Sequence, residues 1–495
     1  MAAESPEEVR RRPVIVALTS HWLALLGLGL VLTAMISWLF VLPMQIRGRA
    51  DNPYIGIVAF MIIPIVFFAG LALVPVGVFL GKRRIQKRLE TEAIDRRLAV
   101  RQFITFLCVT GLVNVVIGTQ LTYRAVDYME TVQFCGQTCH VMKPEFMSQK
   151  VSDHARVACV DCHVGEGATG WVESKVAGTR QLFEVALNDA PRPIPPALEA
   201  NRLVPAKETC ETCHWVEKFG AVRLRVIRKF GDDEANTPTD TVLMMLIGGS
   251  IMPGIHGAHI GPGVEIRFAA TDKARQTIPW VEYRNTTTGE SHTYLAPGTA
   301  ADSIKDWTTR ASAIVSSSPT YQMQCVDCHN RPAHTFDLPD RALDKALMGG
   351  LVPTGLPFIK KKGLELLKAP YSTSEEAARR IPAGLDDYYR QTYPEIYAKR
   401  SADVAGAGTA LLRIYDDNVF PDLKVGWGTY PNNIGHVDSP GCFRCHDGSH
   451  DSADGRATIT QDCTACHVPL AIEDAAPEVL KTLGLSDALD ALKKP

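Results

Sequence analysis

Two cysteines separated by two residues, with a histidine directly after the second, recur five times in this chain. The copies are Cys159-Val-Asp-Cys162-His163, Cys210-Glu-Thr-Cys213-His214, Cys325-Val-Asp-Cys328-His329, Cys442-Phe-Arg-Cys445-His446 and Cys463-Thr-Ala-Cys466-His467. A looser copy, Cys135-Gly-Gln-Thr-Cys139-His140, has three residues between its cysteines. Together they use every cysteine of the 13 except Cys108. A zinc ribbon also pairs cysteines this way but gains nothing from a histidine fixed after each pair. Adjacent C-x-x-C disulfides repeated five times would be an unusual framework. Covalent c-type haem attachment needs two thioether-forming cysteines and then an axial histidine, and residue order matters more there than loop length. Six covalently bound haem c groups are therefore expected. Much of the interior is then porphyrin, with short helices and long irregular connections around it.

Hydrophobic residues are 46% of the 495 and are concentrated near the N-terminus. Trp22–Val41 is almost wholly apolar inside a stretch free of Asp, Glu, Lys and Arg that ends at Arg47. Tyr54–Leu80 and Phe103–Tyr123 are likewise uncharged. A bilayer core takes roughly 20 helical residues, so three crossings are expected. Pro64 and Pro75 in the second block, and Asn114 and Gln120 in the third, are tolerated in membrane helices. Between these two blocks, GKRRIQKRLETEAIDRRLAVR is rich in Lys and Arg, whereas the loop before the second block has only Arg47 and Arg49. The positive-inside rule places the basic loop in the cytoplasm, with the N-terminal Arg10, Arg11 and Arg12, and delivers everything after about residue 124 to the opposite face. The first block is too long for a removed signal peptide and reads as an uncleaved anchor. His21 alone cannot supply a pair of axial ligands to a haem within the membrane, and is expected at the interface. Cys108 is expected to be a small buried apolar residue.

The formal net charge of -2 argues against a nucleic-acid partner. The expected fold class is mainly α with much irregular structure: three N-terminal transmembrane helices, then an exported multihaem cytochrome c domain with a small β-hairpin insert. The layout is a transmembrane hairpin and basic loop at 1–98, a third transmembrane helix at 99–124, and a four-haem domain at 125–340 with a haem-free insert at 216–320. A helical connecting region at 341–435 and a C-terminal two-haem module at 436–495 follow. In the insert, alternation around a turn at Asn285–Gly289 marks the hairpin. The pentapeptide CVDCH occurs twice, at 159–163 and 325–329.

Axial ligands are limited by the 14 histidines. Beyond the motif histidines and His21 there remain His154, His256, His259, His292, His334, His436 and His450. If five haems are bis-histidine, five of these serve as distal ligands. His154, His334, His436 and His450 flank motifs and are candidates. His256 and His259 compete for one place; the sequence does not choose between them, and His259 is carried as the representative. His292 falls in the expected hairpin and suits a structural role.

The third apolar block together with CHVM at 139–142, HARVACVDCHVG at 154–165, CETCHW at 210–215 and CVDCHNRPAH at 325–334 resembles the NapC/NirT/NrfH family of membrane-anchored multihaem quinol dehydrogenases. The resemblance implies that the first haem lies against the membrane with Met142 as its axial ligand, and that His154 and His334 ligate neighbouring haems. It implies a quinol site built on a lysine past the second motif, where Lys175 falls, with an acidic residue for which Glu184 is the nearest substitute. A methionine ligand would also free His140 from the iron, so the longer loop at Cys135–Cys139 does no harm. Three helices and six haems are similar to the larger ImcH-type inner-membrane cytochromes. That implies menaquinol as substrate, the lipid bilayer and quinone pool as partners, periplasmic or outer-membrane cytochromes as acceptors, and a multi-pass protein of the bacterial inner membrane. Two other classes stay open: a terminal reductase of a small oxyanion such as nitrite, and an electron-conducting subunit docked to another quinol enzyme. The surplus of histidines, which can saturate nearly every iron, argues against the first.

Overall fold

Helices that are apolar all round must be covered by protein or by lipid, and the chain begins with them. The computed structural model describes residues 18, 21–46, 63–91, 96–138, 140–165, 167–196, 204–215, 220, 222–249 and 254–485. It forms two units, Met1–Phe134 with Val172–Ala190, and Cys135–Trp171 with Pro191–Pro495. Arg10, Arg11, Arg12, Arg47 and Arg49 lie outside the described residues.

The first unit contains α1 (Trp22–Ile46), α2 (Ile63–Thr91) and α3 (Arg96–Met129). Among the described residues, two stretches are long and apolar enough to cross a membrane, Ile63–Gly81 in α2 and Val100–Gln120 in α3. The apolar stretch described in α1, Trp22–Ser37, is shorter than a span. Helices α1 and α2 meet through small residues. A side chain at Gly27 would strike the Gly70 carbonyl oxygen at 2.6 Å, and one at Gly77 would strike the Ala24 nitrogen at 2.2 Å. Such close backbone approach is how helices associate where lipid removes the hydrophobic drive. In α3 the Asn114 side chain donates to the Thr110 carbonyl at 2.8 Å, so its polarity is satisfied within the helix. His21 accepts from the Leu23 N–H at 3.2 Å, at the start of α1. Helix α4 (Gly167–Ala186) gives this unit its residues from Val172 onward.

The second unit is mainly helical and irregular, with two small antiparallel sheets. One has the order β1-β2-β8, built from β1 (Arg223–Phe230), β2 (Pro238–Met245) and β8 (His467–Asp474). The other has the order β6-β3-β4-β5-β7, from β3 (Val264–Ala269), β4 (Trp280–Asn285), β5 (Ser291–Leu295), β6 (Thr320–Gln322) and β7 (Asp451–Ser452). The expected hairpin is present as β4–β5, with Trp280 opposite Leu295 and Arg284 opposite Ser291. It is one part of a larger sheet whose edge strand β7 comes from the C-terminal region. A short helix, α5 (Ile255–Ile260), lies just before β3.

The main apolar core sits where the chain has no attachment motif, in α6 (Pro339–Met348), α7 (Ile359–Lys368), α8 (Ser374–Thr392) and α9 (Pro394–Asn418). Ala377, Ile381, Leu385 and Tyr389 recur every fourth residue and are fully buried on one face of α8. Thr373 caps that helix by accepting from the Glu376 N–H. Leu411 of α9, also fully buried, belongs to the same cluster. Replacing Leu411 with Ala is expected to cost about 2–5 kcal/mol through lost burial and a residual cavity. Chemical denaturation of the detergent-solubilised protein, followed by circular dichroism, measures this; a loss below about 0.5 kcal/mol, the range of surface substitutions, would contradict the packing.

Candidate functional site

Both sulfurs and the imidazole of a C-x-x-C-H segment must emerge on one side of the backbone, which a single helical turn achieves. Cys159–His163 and Cys325–Cys328 are α-turns, and Cys210–Thr212, Gly441–Arg444 and Cys463–Ala465 are 3-10 turns. The histidine N–H closes onto the first cysteine's carbonyl at 2.8 Å for His214, 2.7 Å for His329 and 3.0 Å for His446. The first copy differs. Phe134–Thr138 is a π-helical turn, whose wider coil takes up the additional residue. Glycine is required at 136, because a side chain there would meet the Phe146 ring at 2.2 Å. Cys139 lies outside the described residues, as does the side chain of His140.

Every histidine of the five regular motifs faces a histidine from elsewhere. Ring centres are 6.2 Å apart for His163 and His334, 6.0 Å for His214 and His154, and 6.2 Å for His329 and His256. They are 5.7 Å apart for His446 and His259, and 6.2 Å for His467 and His436. A metal ion between two imidazoles, bonded to each nitrogen at about 2.0 Å with roughly 1.1 Å more to each ring centre, needs a gap of about 6 Å. The pairs therefore fit axial ligation of haem iron. Nδ1 of His154 donates to the Pro332 carbonyl at 3.2 Å, that of His259 to Ile255 at 2.7 Å, that of His334 to Glu145 at 3.0 Å, and that of His446 to Thr460 at 2.7 Å. A carbonyl only accepts, so Nδ1 carries the proton and Nε2 keeps its lone pair for a metal. Burial lowers the pKa of His163, His256, His259 and His329, and takes His334 down to about 4. The imidazoles are thus held in the neutral form that binds metal.

Two expectations change. His256 and His259 do not compete: both lie on α5, three residues apart, and each faces a different motif histidine. His450 is placed otherwise. Its ring is 1% exposed, with Nδ1 2.9 Å from Asp447 and Nε2 donating to the Ile278 carbonyl at 2.8 Å, so neither nitrogen is available to iron. His292 stacks on Tyr283 and lies tilted beside Tyr294, with Nε2 2.6 Å from Glu290. Met142 ends the 3-10 turn His140–Met142 and is half-buried.

The attachment loops meet in chain order. Cys135 stands beside Cys159 and raises its thiol, and Cys325 stands beside Cys210 and lowers its thiol. Burial, then the charge of Cys210, raises the Cys162 thiol. Burial likewise raises Cys328, beside Cys442, and Cys466, also beside Cys442. The cysteine loops thus form one string from the first motif to the sixth.

In the first unit, the Lys175 ammonium lies 3.0 Å from a carboxylate oxygen of Glu130. Glu184 instead pairs with Arg180 at 3.0 Å. It stands nine residues, or about two and a half helical turns, beyond Lys175, and so occupies the opposite face of α4. Glu130 went unnoticed in the sequence because it comes from a different helical segment; its only local signal is its position five residues before Cys135.

A model of the NapC/NirT cytochrome c family, N-terminal region, matches residues 98–225. Over 462 residues the chain is 36% identical to the cytochrome c-type protein ImcH of Geobacter sulfurreducens, covering 91% of this chain and 87% of that one. It is also 30% identical over 90 residues to the cytochrome c nitrite reductase subunit NrfH of Nitratidesulfovibrio vulgaris, which is 18% of this chain and 55% of that one. No solved structure matches. For the ligand geometry, His256→Ala and His259→Ala are each expected to convert one low-spin haem to high spin, whereas His450→Ala changes none. Electron paramagnetic resonance of the oxidised variants reads this directly; a low-spin signal lost in His450→Ala, or retained in full in His256→Ala, contradicts the pairing.

Proposed function

The chain belongs to the NapC/NirT family of membrane-type c cytochromes, carriers of covalently bound haem c, and on that premise we propose that it is an inner-membrane quinol dehydrogenase. It oxidises menaquinol and passes the electrons to periplasmic or outer-membrane cytochromes. The five histidine pairs are the observation that carries this reading, since saturated irons in a continuous string suit electron transfer better than substrate reduction.

Six haems would be held by Cys135 and Cys139, Cys159 and Cys162, Cys210 and Cys213, Cys325 and Cys328, Cys442 and Cys445, and Cys463 and Cys466. His163, His214, His329, His446 and His467 would serve as proximal ligands, with His334, His154, His256, His259 and His436 as their distal partners, and Met142 would ligate the first. When bound, the haems supply one-electron redox centres for the two electrons of each quinol. Helix α1 joins α2 and α3 as a third span, the basic loop faces the cytoplasm, and the haem domain lies in the periplasm.

At the quinol, Lys175 donates a hydrogen bond to a quinol oxygen, and Glu130 holds the ammonium in place and accepts a hydroxyl proton with each of the two electrons passed on, releasing both protons in turn to the periplasm. This reading is supported by the 3.0 Å separation of the two groups. An ion pair this exposed contributes only about 0–1 kcal/mol to stability, so substituting it leaves the fold intact. Adding a reduced menaquinol analogue to the oxidised protein in detergent is expected to reduce much of the haem absorbance rapidly. Lys175→Ala and Glu130→Gln slow that phase by at least roughly a hundredfold, the lower end of what a positioned proton acceptor provides, with reduction by dithionite unchanged. Dithionite reduction without quinol reduction, or a Lys175→Ala variant as fast as the unsubstituted protein, overturns the assignment.

A further inference from the structure

The two CVDCH segments are identical in sequence, yet their aspartates have different surroundings. Asp161 is exposed and does no more than cap its own turn, accepting from the Ala158 N–H at 3.1 Å. Asp327 makes the equivalent cap with the Gln324 N–H at 2.8 Å, but it is 2% exposed and its other oxygen lies 2.6 Å from the Arg275 guanidinium. Arg275, 7% exposed, comes from the loop between β3 and β4 and stacks 3.7 Å above the Tyr321 ring. A second guanidinium arrives from the fifth motif itself. Arg444, between Cys442 and Cys445, donates to the Asp327 carbonyl at 2.6 Å, to the Arg275 carbonyl at 2.8 Å and to the Gly441 carbonyl at 2.8 Å. Asn433 adds a hydrogen bond to the Asp327 carbonyl at 3.0 Å.

We propose that Arg275, Asp327 and Arg444 form a charged clamp that locks the fourth and fifth attachment loops together and sets the reduction potentials of the haems held there. The proposal rests on the multihaem reading above. Arg275 faces the Asp327 carboxylate and Arg444 the Asp327 backbone carbonyl, so two guanidinium groups stand beside one carboxylate and the site carries an excess of positive charge in an interior where charge is weakly screened. Reduction adds an electron to each centre, and nearby positive charge favours it, which raises the potential; net charge and hydrogen bonding around a redox group are the protein's means of tuning it. The same contacts fix the spacing of the two loops. These three are positioning residues: none is a ligand, and each acts through the loops it joins.

Spectroelectrochemical titration of the purified full-length holoprotein tests the clamp. Asp327→Asn removes the negative charge and is expected to raise the midpoint potentials of the two haems held there, whereas Arg444→Gln and Arg275→Gln lower them. Arg444→Lys keeps the charge and restores the original values. The four remaining potentials and the low-spin spectrum stay as they were. A purely structural role would move the aspartate and arginine variants in the same direction, or lose haem from both, and that outcome overturns the proposal. So does an absence of any shift with all haems present. If the unsubstituted protein carries no haem at Cys325–Cys328 or Cys442–Cys445 by peptide mass, the multihaem reading fails first and the clamp with it.

Discussion

An imidazole buried without a partner is costly, and a haem iron held by one histidine has an open position that a second histidine can fill. Two histidines about 6 Å apart would answer both around a metal, and the second unit brings histidine rings to that separation five times. The partners come from distant parts of the chain. His334, after the fourth motif, reaches back to His163 of the second, and His154, before the second, reaches forward to His214 of the third. Each pair is therefore a cross-link between segments that are otherwise loops. The division of labour is visible in the packing: the largest apolar cluster fills α6 to α9, which carry no attachment motif, whereas the motif segments are short turns with few buried apolar side chains.

The same economy of connection explains the sheets. Strand β8 begins at His467 of the last motif and pairs with β2 of the insert, while β7 joins the edge of the other sheet. The insert is thus a scaffold on which the C-terminal attachment loops are mounted. Helix α5 makes the point most directly, since one short helix presents His256 to His329 and His259 to His446. Loops that meet in chain order are joined by shared helices and buried ion pairs, which fix their spacing.

What the sequence made legible was the chemistry written in short range. Cysteine spacing, the following histidine and the long apolar blocks each carry their meaning within a few residues, and the hairpin at β4–β5 did so through alternation and turn composition. Distal ligands are different, because pairing is a property of the tertiary fold. His450 resembles a ligand by its nearness to a motif, but the Asp447–His450 turn and the Ile278 carbonyl occupy both ring nitrogens. His256 and His259 resemble alternatives by their nearness to each other, yet two motif histidines lie within reach of one helix. Glu130 was hidden for the same reason: its partner Lys175 is far along the chain, whereas Glu184, on the same helix as Lys175, pairs with Arg180. The π-turn at Phe134–Thr138 shows the opposite case, where one inserted residue had a local geometric answer.

The central claim is that five of six haems are bound by two histidines and the first is not. Near-infrared magnetic circular dichroism of the fully oxidised protein, normalised to its haem content, distinguishes these ligand sets by the energy of their charge-transfer bands. Five haems in the bis-histidine band, with the sixth contributing a methionine band, is the result the account predicts. Fewer than five bis-histidine haems, or a sixth that is also bis-histidine, would contradict it.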